Sequence, residues 1–251
     1  MGSTGIFVIQ DYGQAGAFTG GNRVADANGV LTDGVSGTEF KNHKASNFAS
    51  NRNGYFHYVL MPHNYNTNST SSGQAEVSGD DLIVSLQCSY NYANGHNSYA
   101  HTIMHELGHN LSLRHGGDEN VNWKPNYNSI MNYKYQFPGI DTCSDADPFG
   151  DGILNYSIGD RVVLNENSLD ERKGTCGTLA WDWNGSGTIQ SSVVKDINCD
   201  TSGTCDGTLS TLQDYNDWAH IYYAGIADAD GVGVSRILEV VSCDNPAPIA
   251  R

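Results

Sequence analysis

The chain has 251 residues, with 13 Lys plus Arg against 28 Asp plus Glu, for a net charge of −15. That balance argues against a nucleic-acid binder, which needs a clustered basic face, and no apolar run approaches the roughly 18 residues of a membrane span. Glycine is abundant at 29 residues, but 14 Tyr, 7 Phe and 4 Trp supply core material, so the composition fits a folded, loop-rich, soluble protein of one large domain or two small ones.

In chain order, Met1-Gly2-Ser3 reads as an expression leftover, and no signal peptide follows it. Gly5–Gln10 reads as a first strand, followed by a Gly-rich loop from Gly13 to Gly21. The segment Gly37–Arg52 carries Phe40 and Phe48 among polar residues and predicts a surface helix. Tyr55–Met61 predicts a strand stopped by Pro62, and Asn64–Ser72 a loop. Gln74–Val77 and Leu82–Gln87 predict two further strands. Asn97–Leu113 predicts a helix, because Ala100, Ile103, Met104, Leu107, Gly108 and Leu111 recur at helical spacing. Past His115 the texture becomes Gly-, Asn-, Asp- and Ser-rich, with one further helix expected over Asp214–Ala224. The chain thus divides into residues 4–115, strand-and-helix, and residues 116–251, irregular.

The six cysteines are Cys88, Cys143, Cys176, Cys199, Cys205 and Cys243, with no C-x-x-C pair among them. They fit up to three disulfides and an oxidising compartment. Cys199–Cys205 is the first expected pair, since both sit in one polar loop, and Cys143–Cys176 the second. Buried free thiols are the alternative. The acidic surface suits an extracellular setting, or simply an acidic soluble protein.

The chemistry is concentrated at His105-Glu106-Leu107-Gly108-His109. Four residues span about 400° of helix, so His105 and His109 project from one face, a turn apart. Two imidazoles on one face can hold a zinc ion, which lowers the pKa of a bound water towards about 7. Glu106 is placed to accept the proton and pass it to the leaving amine. His115 follows His109 by six residues, and a break in the helix brings it back as a third ligand with one position left open. Met131 lies sixteen residues past His115, in Ser129-Ile130-Met131-Asn132-Tyr133.

These residues resemble the metzincin clan of zinc endopeptidases, whose pattern is H-E-x-x-H-x-x-G-x-x-H followed by a Met-containing turn. The resemblance covers His105, Glu106, His109, His115 and Met131, and implies Met131 as an apolar floor beneath the zinc. It implies for Tyr133 a role in ligating the metal or stabilising the oxyanion. It implies an α+β fold: an upper subdomain with a twisted mixed β-sheet and the active-site helix, and a lower irregular subdomain ending in a helix. It implies that Gln74, Ala75 and Glu76 (with Val77) form the edge strand that pairs with an extended peptide. Lys134–Pro138 is implied as a wall of the specificity pocket, and Lys134 there points to acidic side chains. The chain departs from the pattern at Ser112, where the clan has Gly. Either Ser112 takes the unusual backbone conformation or Asn110 does. His115 is followed by Gly116-Gly117-Asp118 rather than directly by Asp, so no branch of the clan is assigned.

Other readings stand beside these. His101, a turn before His105, lacks an adjacent Glu and reads as half-buried or a support to the ligands. His43, His57, His63, His96 and His220 read as ordinary histidines. Asp182, Asn184 and Ser186, followed by Gly187 and Ile189, match the first half of an EF-hand-like calcium loop. Val193 stands where the closing Glu belongs, so Asp196, Asp200, Asp214 or Asp217 would finish the shell. A solvated Asx turn is the alternative. Asp145, Asp147 and Asp151 form a weaker calcium candidate. The expectation is a secreted, monomeric zinc endopeptidase acting on protein or peptide, with an upstream pro-segment and Zn2+ with or without Ca2+ as cofactors. The competing expectation is an extracellular binding or adhesion module stabilised by zinc or calcium, without turnover.

Overall fold

The computed structural model describes residues 24, 26–66, 71–85, 95–222 and 237–242, with 95–97 and 237–242 placed as backbone. The elements in chain order are β1 (Val30–Leu31), α1 (Thr38–Asn47), β2 (Tyr58–Leu60), β3 (Asn64–Tyr65), β4 (Ser71–Val77), β5 (Asp81–Val84), α2 (Gly95–Asn110), α3 (Tyr133–Gln136), β6 (Leu164–Asn165), β7 (Thr211–Leu212), α4 (Asp217–His220) and β8 (Ile237–Ser242). A single 3-10 turn, Ser50–Arg52, follows α1. The fold is mixed α+β with small sheets.

The largest sheet has the order β2-β5-β4-β8, with β2 parallel to β5 and the other pairs antiparallel. Side chains alternate across a strand, and β5 illustrates the consequence. Leu82 and Val84 join Ala75 of β4 against Ile103 of α2. Ile83 turns to the other face, where it packs with Phe40 of α1, Tyr58, Leu31, Val35 and Tyr65. Being covered on both faces, β4 is buried along its whole length. Each large side chain so buried stabilises the fold by roughly 1.5–3 kcal/mol. At one end of the sheet Lys44 bridges Asp80 and Asp81, at 3.2 and 2.5 Å.

Beyond α2 the described residues form few long elements, and backbone donors there find partners in buried side chains instead. The Glu171 carboxylate accepts the amides of Gln190 (2.8 Å) and Asn184 (3.4 Å). The Glu166 carboxylate accepts those of Ile197 and Ser210, both at 2.8 Å. Each glutamate thus pins a Gly- and Asp-rich loop around the small core of Leu164, Leu169, Val193 and Leu212. Cys143–Cys176 and Cys199–Cys205 are disulfides, as expected; Cys88 and Cys243 lie outside the described residues. Two disulfides are compatible with an extracellular protein. Among the described residues no helix is long and apolar enough to cross a membrane.

Several expected elements differ. The strand over Tyr55–Met61 shrinks to β2, because the amides of Tyr55 and Phe56 turn back to Arg52 O. The expected loop over Asn64–Ser72 contains β3, which pairs with β1, and the start of β4. The helix over Asn97–Leu113 begins at Gly95 and stops at Asn110. The helix over Asp214–Ala224 is a single turn among the described residues, capped by the Asn216 side chain on the Ala219 amide. The strand over Gly5–Gln10 and the loop from Gly13 to Gly21 lie outside the described residues, as do Leu86 and Gln87. The expectation for Gln74, Ala75 and Glu76 is corrected in one respect. They do form a strand, but β8 pairs with its outer side along Ser71–Val77, so β4 is an interior strand and not an edge.

Candidate metal centre

The helix α2 presents His105 and His109 on one face, and its C-terminal cap delivers His115. The Leu113 amide donates to Gly108 O and the Ser112 amide to His109 O, both at 2.9 Å. This is the paired bonding of a Schellman cap, which needs a left-handed residue at its turn. Ser112 supplies it with φ 78°, whereas Asn110 does not have positive φ. The Ser112 hydroxyl donates to Tyr222 O at 3.0 Å and meets Ser78 Oγ at 2.8 Å, which helps hold the conformation. Past the cap, Arg114 and Gly117 bond each other's backbones, and the tight turn folds His115 back.

The three imidazoles converge. One ligand atom from each of His105, His109 and His115 lies within 4.8 Å of the others. His105 Nε2 and His109 Nε2 are 3.1 Å apart. Their far nitrogens face carbonyls: His105 Nδ1 donates to Ile130 O at 2.8 Å, and His109 Nδ1 to Leu113 O at 2.9 Å. Those bonds fix the tautomer that leaves each Nε2 lone pair free for a metal. Burial lowers the pKa of His105 to about 4. It takes His109 and His115 well below the ordinary value too, with the neighbouring imidazoles adding to the shift. All three rings are therefore neutral at neutral pH, the state in which imidazole ligates. The donor set fits a transition-metal ion, with three nitrogens and no hard-oxygen cage.

Around the triad, Glu106 is fully buried. A Cβ placed on Gly73 of β4 would stand 2.3 Å from Glu106 Oε1, so only glycine lets the strand pass this close. Met131 is fully buried under α2, and a Cβ on Gly108 would stand 2.2 Å from its sulfur. The turn that carries Met131 is tied down on all sides. Asn132 N bonds Ser129 O, Ile130 N bonds Asn155 O, and Met131 N bonds Ser129 Oγ. The Tyr133 ring lies 4.4 Å from that of His115 and 5.8 Å from that of His105, centroid to centroid. Asn132 caps α3 through the Lys134 amide. The Lys134 ammonium sits over Tyr135 and Phe149, and burial lowers its pKa to about 8.

His101 is outside the triad; its Nδ1 lies 2.5 Å from Gln136 O, linking α2 to α3. His57 meets Asn110 Oδ1, His43 meets Asp26, and His220 meets Asn216 O. The Gln74 and Glu76 side chains serve the fold. Gln74 Oε1 accepts the Val35 amide, and Glu76 Oε2 accepts those of Asp80 and Asp81.

The calcium shell expected around Asp182 is not assembled among the described residues. Asp182 accepts the amides of Ser186 and Gly187, and Asn184 Oδ1 also accepts that of Ser186, which is the Asx-turn arrangement. Asp214 is engaged elsewhere, with Ser157 Oγ and the Arg161 amide. Asp217 is also elsewhere: it accepts Tyr127 Oη at 2.8 Å, Ser129 Oγ at 2.5 Å and the Ser157 amide at 3.0 Å. Asp217 is thereby the anchor of the Met131 turn, a role that no local sequence signal reveals, because its partners lie 60 to 90 residues away. Gly73 was missed for the same reason. Compared with protein-family models, with curated proteins and with solved structures, the chain has no match.

Proposed function

We propose that the chain is a secreted zinc-dependent endopeptidase of the metzincin type. The observation that carries this reading is the convergence of three neutral imidazoles, with buried Glu106 next to His105 on α2, Met131 buried against Gly108 of the same helix and the Tyr133 ring beside that of His115. Three nitrogen ligands with an open position are the set used by catalytic zinc, which supplies hydroxide at neutral pH and polarises the scissile carbonyl.

In this reading Glu106 accepts the proton of the attacking water and returns it to the leaving amine. The Tyr133 hydroxyl donates to the oxyanion. Met131 and the Asp217-anchored turn hold His105 through Ile130 O, which keeps the ligand oriented.

The test is cleavage of an unbiased peptide library by the wild type and by Glu106→Ala, with zinc content measured on both. The expected result is zinc in both proteins and cleavage by the wild type alone. Equal cleavage by both proteins, or no zinc in either, overturns the reading. Zinc in both with no cleavage moves it to an extracellular binding module that keeps a structural metal.

A further inference from the structure

The loop over residues 196–208 gathers a second set of oxygen donors. Asn198 is 3% exposed, and its amide nitrogen donates to Asp206 Oδ2 at 2.8 Å. The opposite amide orientation would set oxygen against carboxylate, so this bond fixes which way Oδ1 points. Among the described residues, Asn198 Oδ1 and Asp196 Oδ1 are both buried with no hydrogen-bond partner. The other oxygen of Asp196 accepts the Gly207 amide at 2.9 Å. Both unpartnered oxygens therefore belong to groups held on the same Asp206-Gly207 turn.

Burying two acceptors, one of them on a carboxylate, without a donor is costly. A hard cation removes that cost, and carboxylate with amide oxygens is the donor set of calcium. The residue order agrees. Asp196 and Asn198 stand at the first and third positions of an EF-hand-like loop. Asp206 and Gly207 stand at the fifth and sixth once the insertion closed by Cys199–Cys205 is set aside. Gly207 has φ 81°, as the sharp turn at the sixth position requires. The Asp182 loop has the same turn at Gly187, with φ 79°. There the first-position carboxylate accepts the Gly187 amide in the same way, but its other oxygen and Asn184 Oδ1 accept the Ser186 amide and the loop faces solvent, so no buried oxygen is left without a donor. Asp200 is likewise engaged, with the Ser202 and Thr204 amides; Asp206 Oδ1 also accepts the Thr208 amide and hydroxyl, so the oxygens left without a donor are those of Asp196 and Asn198, and Asp206 offers a cation only its remaining lone pairs.

We infer that Asp196, Asn198 and Asp206 form a calcium site, and that the Asp182 loop does not. The site stands apart from the histidine triad and does not depend on the peptidase reading.

The full chain, freed of calcium by dialysis and kept in ZnCl2, is titrated calorimetrically with CaCl2 and, separately, MgCl2. The same is done for Asp196→Asn and Asp182→Asn, and thermal melts are recorded at each end point. Calcium should bind the wild type at one site and raise its Tm, with magnesium much weaker. Asp196→Asn should weaken calcium by at least about tenfold, because a charged ligand is lost, while Asp182→Asn should leave it unchanged. Hydrogen exchange on the wild type with and without CaCl2 locates the site should Asp196→Asn fail to fold; slowed amides should map to residues 196–208. No calcium binding, loss through Asp182→Asn with retention in Asp196→Asn, or protection elsewhere overturns the assignment.

Discussion

If Glu106 is the general base proposed above, Gly73→Ala displaces it without replacing it. The added methyl would stand 2.3 Å from Glu106 Oε1 and 2.8 Å from its Cδ and Cγ. Ordinary contact begins near 3.4 Å, so the carboxylate must retreat by 3.4 − 2.3, about 1.1 Å. A displacement of roughly 1 Å at a reacting group costs on the order of a hundredfold in rate, equivalent to about 2.7 kcal/mol in activation free energy. The three imidazoles are not touched, so the metal that they hold in the proposed reading should stay bound. Alanine in a strand recovers roughly 0.5–1 kcal/mol of backbone entropy, which partly offsets the overlap. The variant should therefore fold, keep its zinc by elemental analysis, and cleave a library-derived fluorogenic peptide about a hundredfold more slowly in kcat. Wild-type turnover would show that Glu106 takes no part in the chemistry from this position. Loss of zinc would show that β4 supports the triad and not the glutamate.

Three further outcomes follow from the same geometry. Burial raises the Asp217 carboxyl to about 7 against the donors around it. Between about pH 4 and 7 the folded state keeps this proton while the unfolded chain releases it, so stability falls as pH rises, by roughly 4 kcal/mol over the window. Asp217→Asn, which has no proton to lose, should flatten that slope in urea melts from pH 4 to 8, and an unchanged slope would refute the assignment. Ser112→Ala keeps the left-handed backbone but loses two hydroxyl contacts, whereas Ser112→Gly loses the contacts and relieves the strain. The glycine variant should be the more stable of the two by about 1 kcal/mol, and the reverse order would place the strain elsewhere. Ending the chain at residue 222 removes β8 from β4. If peptides pair with that side of β4, kcat/KM for long peptides should rise while a two-residue reporter is unaffected; an unchanged ratio argues against pairing there.

How much of this was legible in the sequence depends on the range of the interactions involved. The triad was readable because His105 and His109 are a helical turn apart, and because His115 needs only one local cap to return. Even the misfit at Ser112 was readable as a strained turn, since the αL requirement is local; which residue would bear it was not. The two expected disulfides were readable as short or plausible loop closures, 6 and 33 residues apart. What failed was non-local. Nothing around Gln74 announces that β8, more than 160 residues later, takes the place at the sheet edge. Nothing around Gly73 announces that Glu106 lies against it. The acidic loops illustrate a different limit. By pattern alone, Asp182-Asn184-Ser186 is the better calcium motif, because it is uninterrupted, and Asp196-Asn198 is broken by an insertion. Which loop has oxygens to spare depends on where their hydrogen bonds go, and that is settled by backbone amides at Ser186 and Gly187 in one loop and by burial in the other. A metal site is defined by acceptors that the protein leaves unsatisfied, and a sequence pattern records only which acceptors exist.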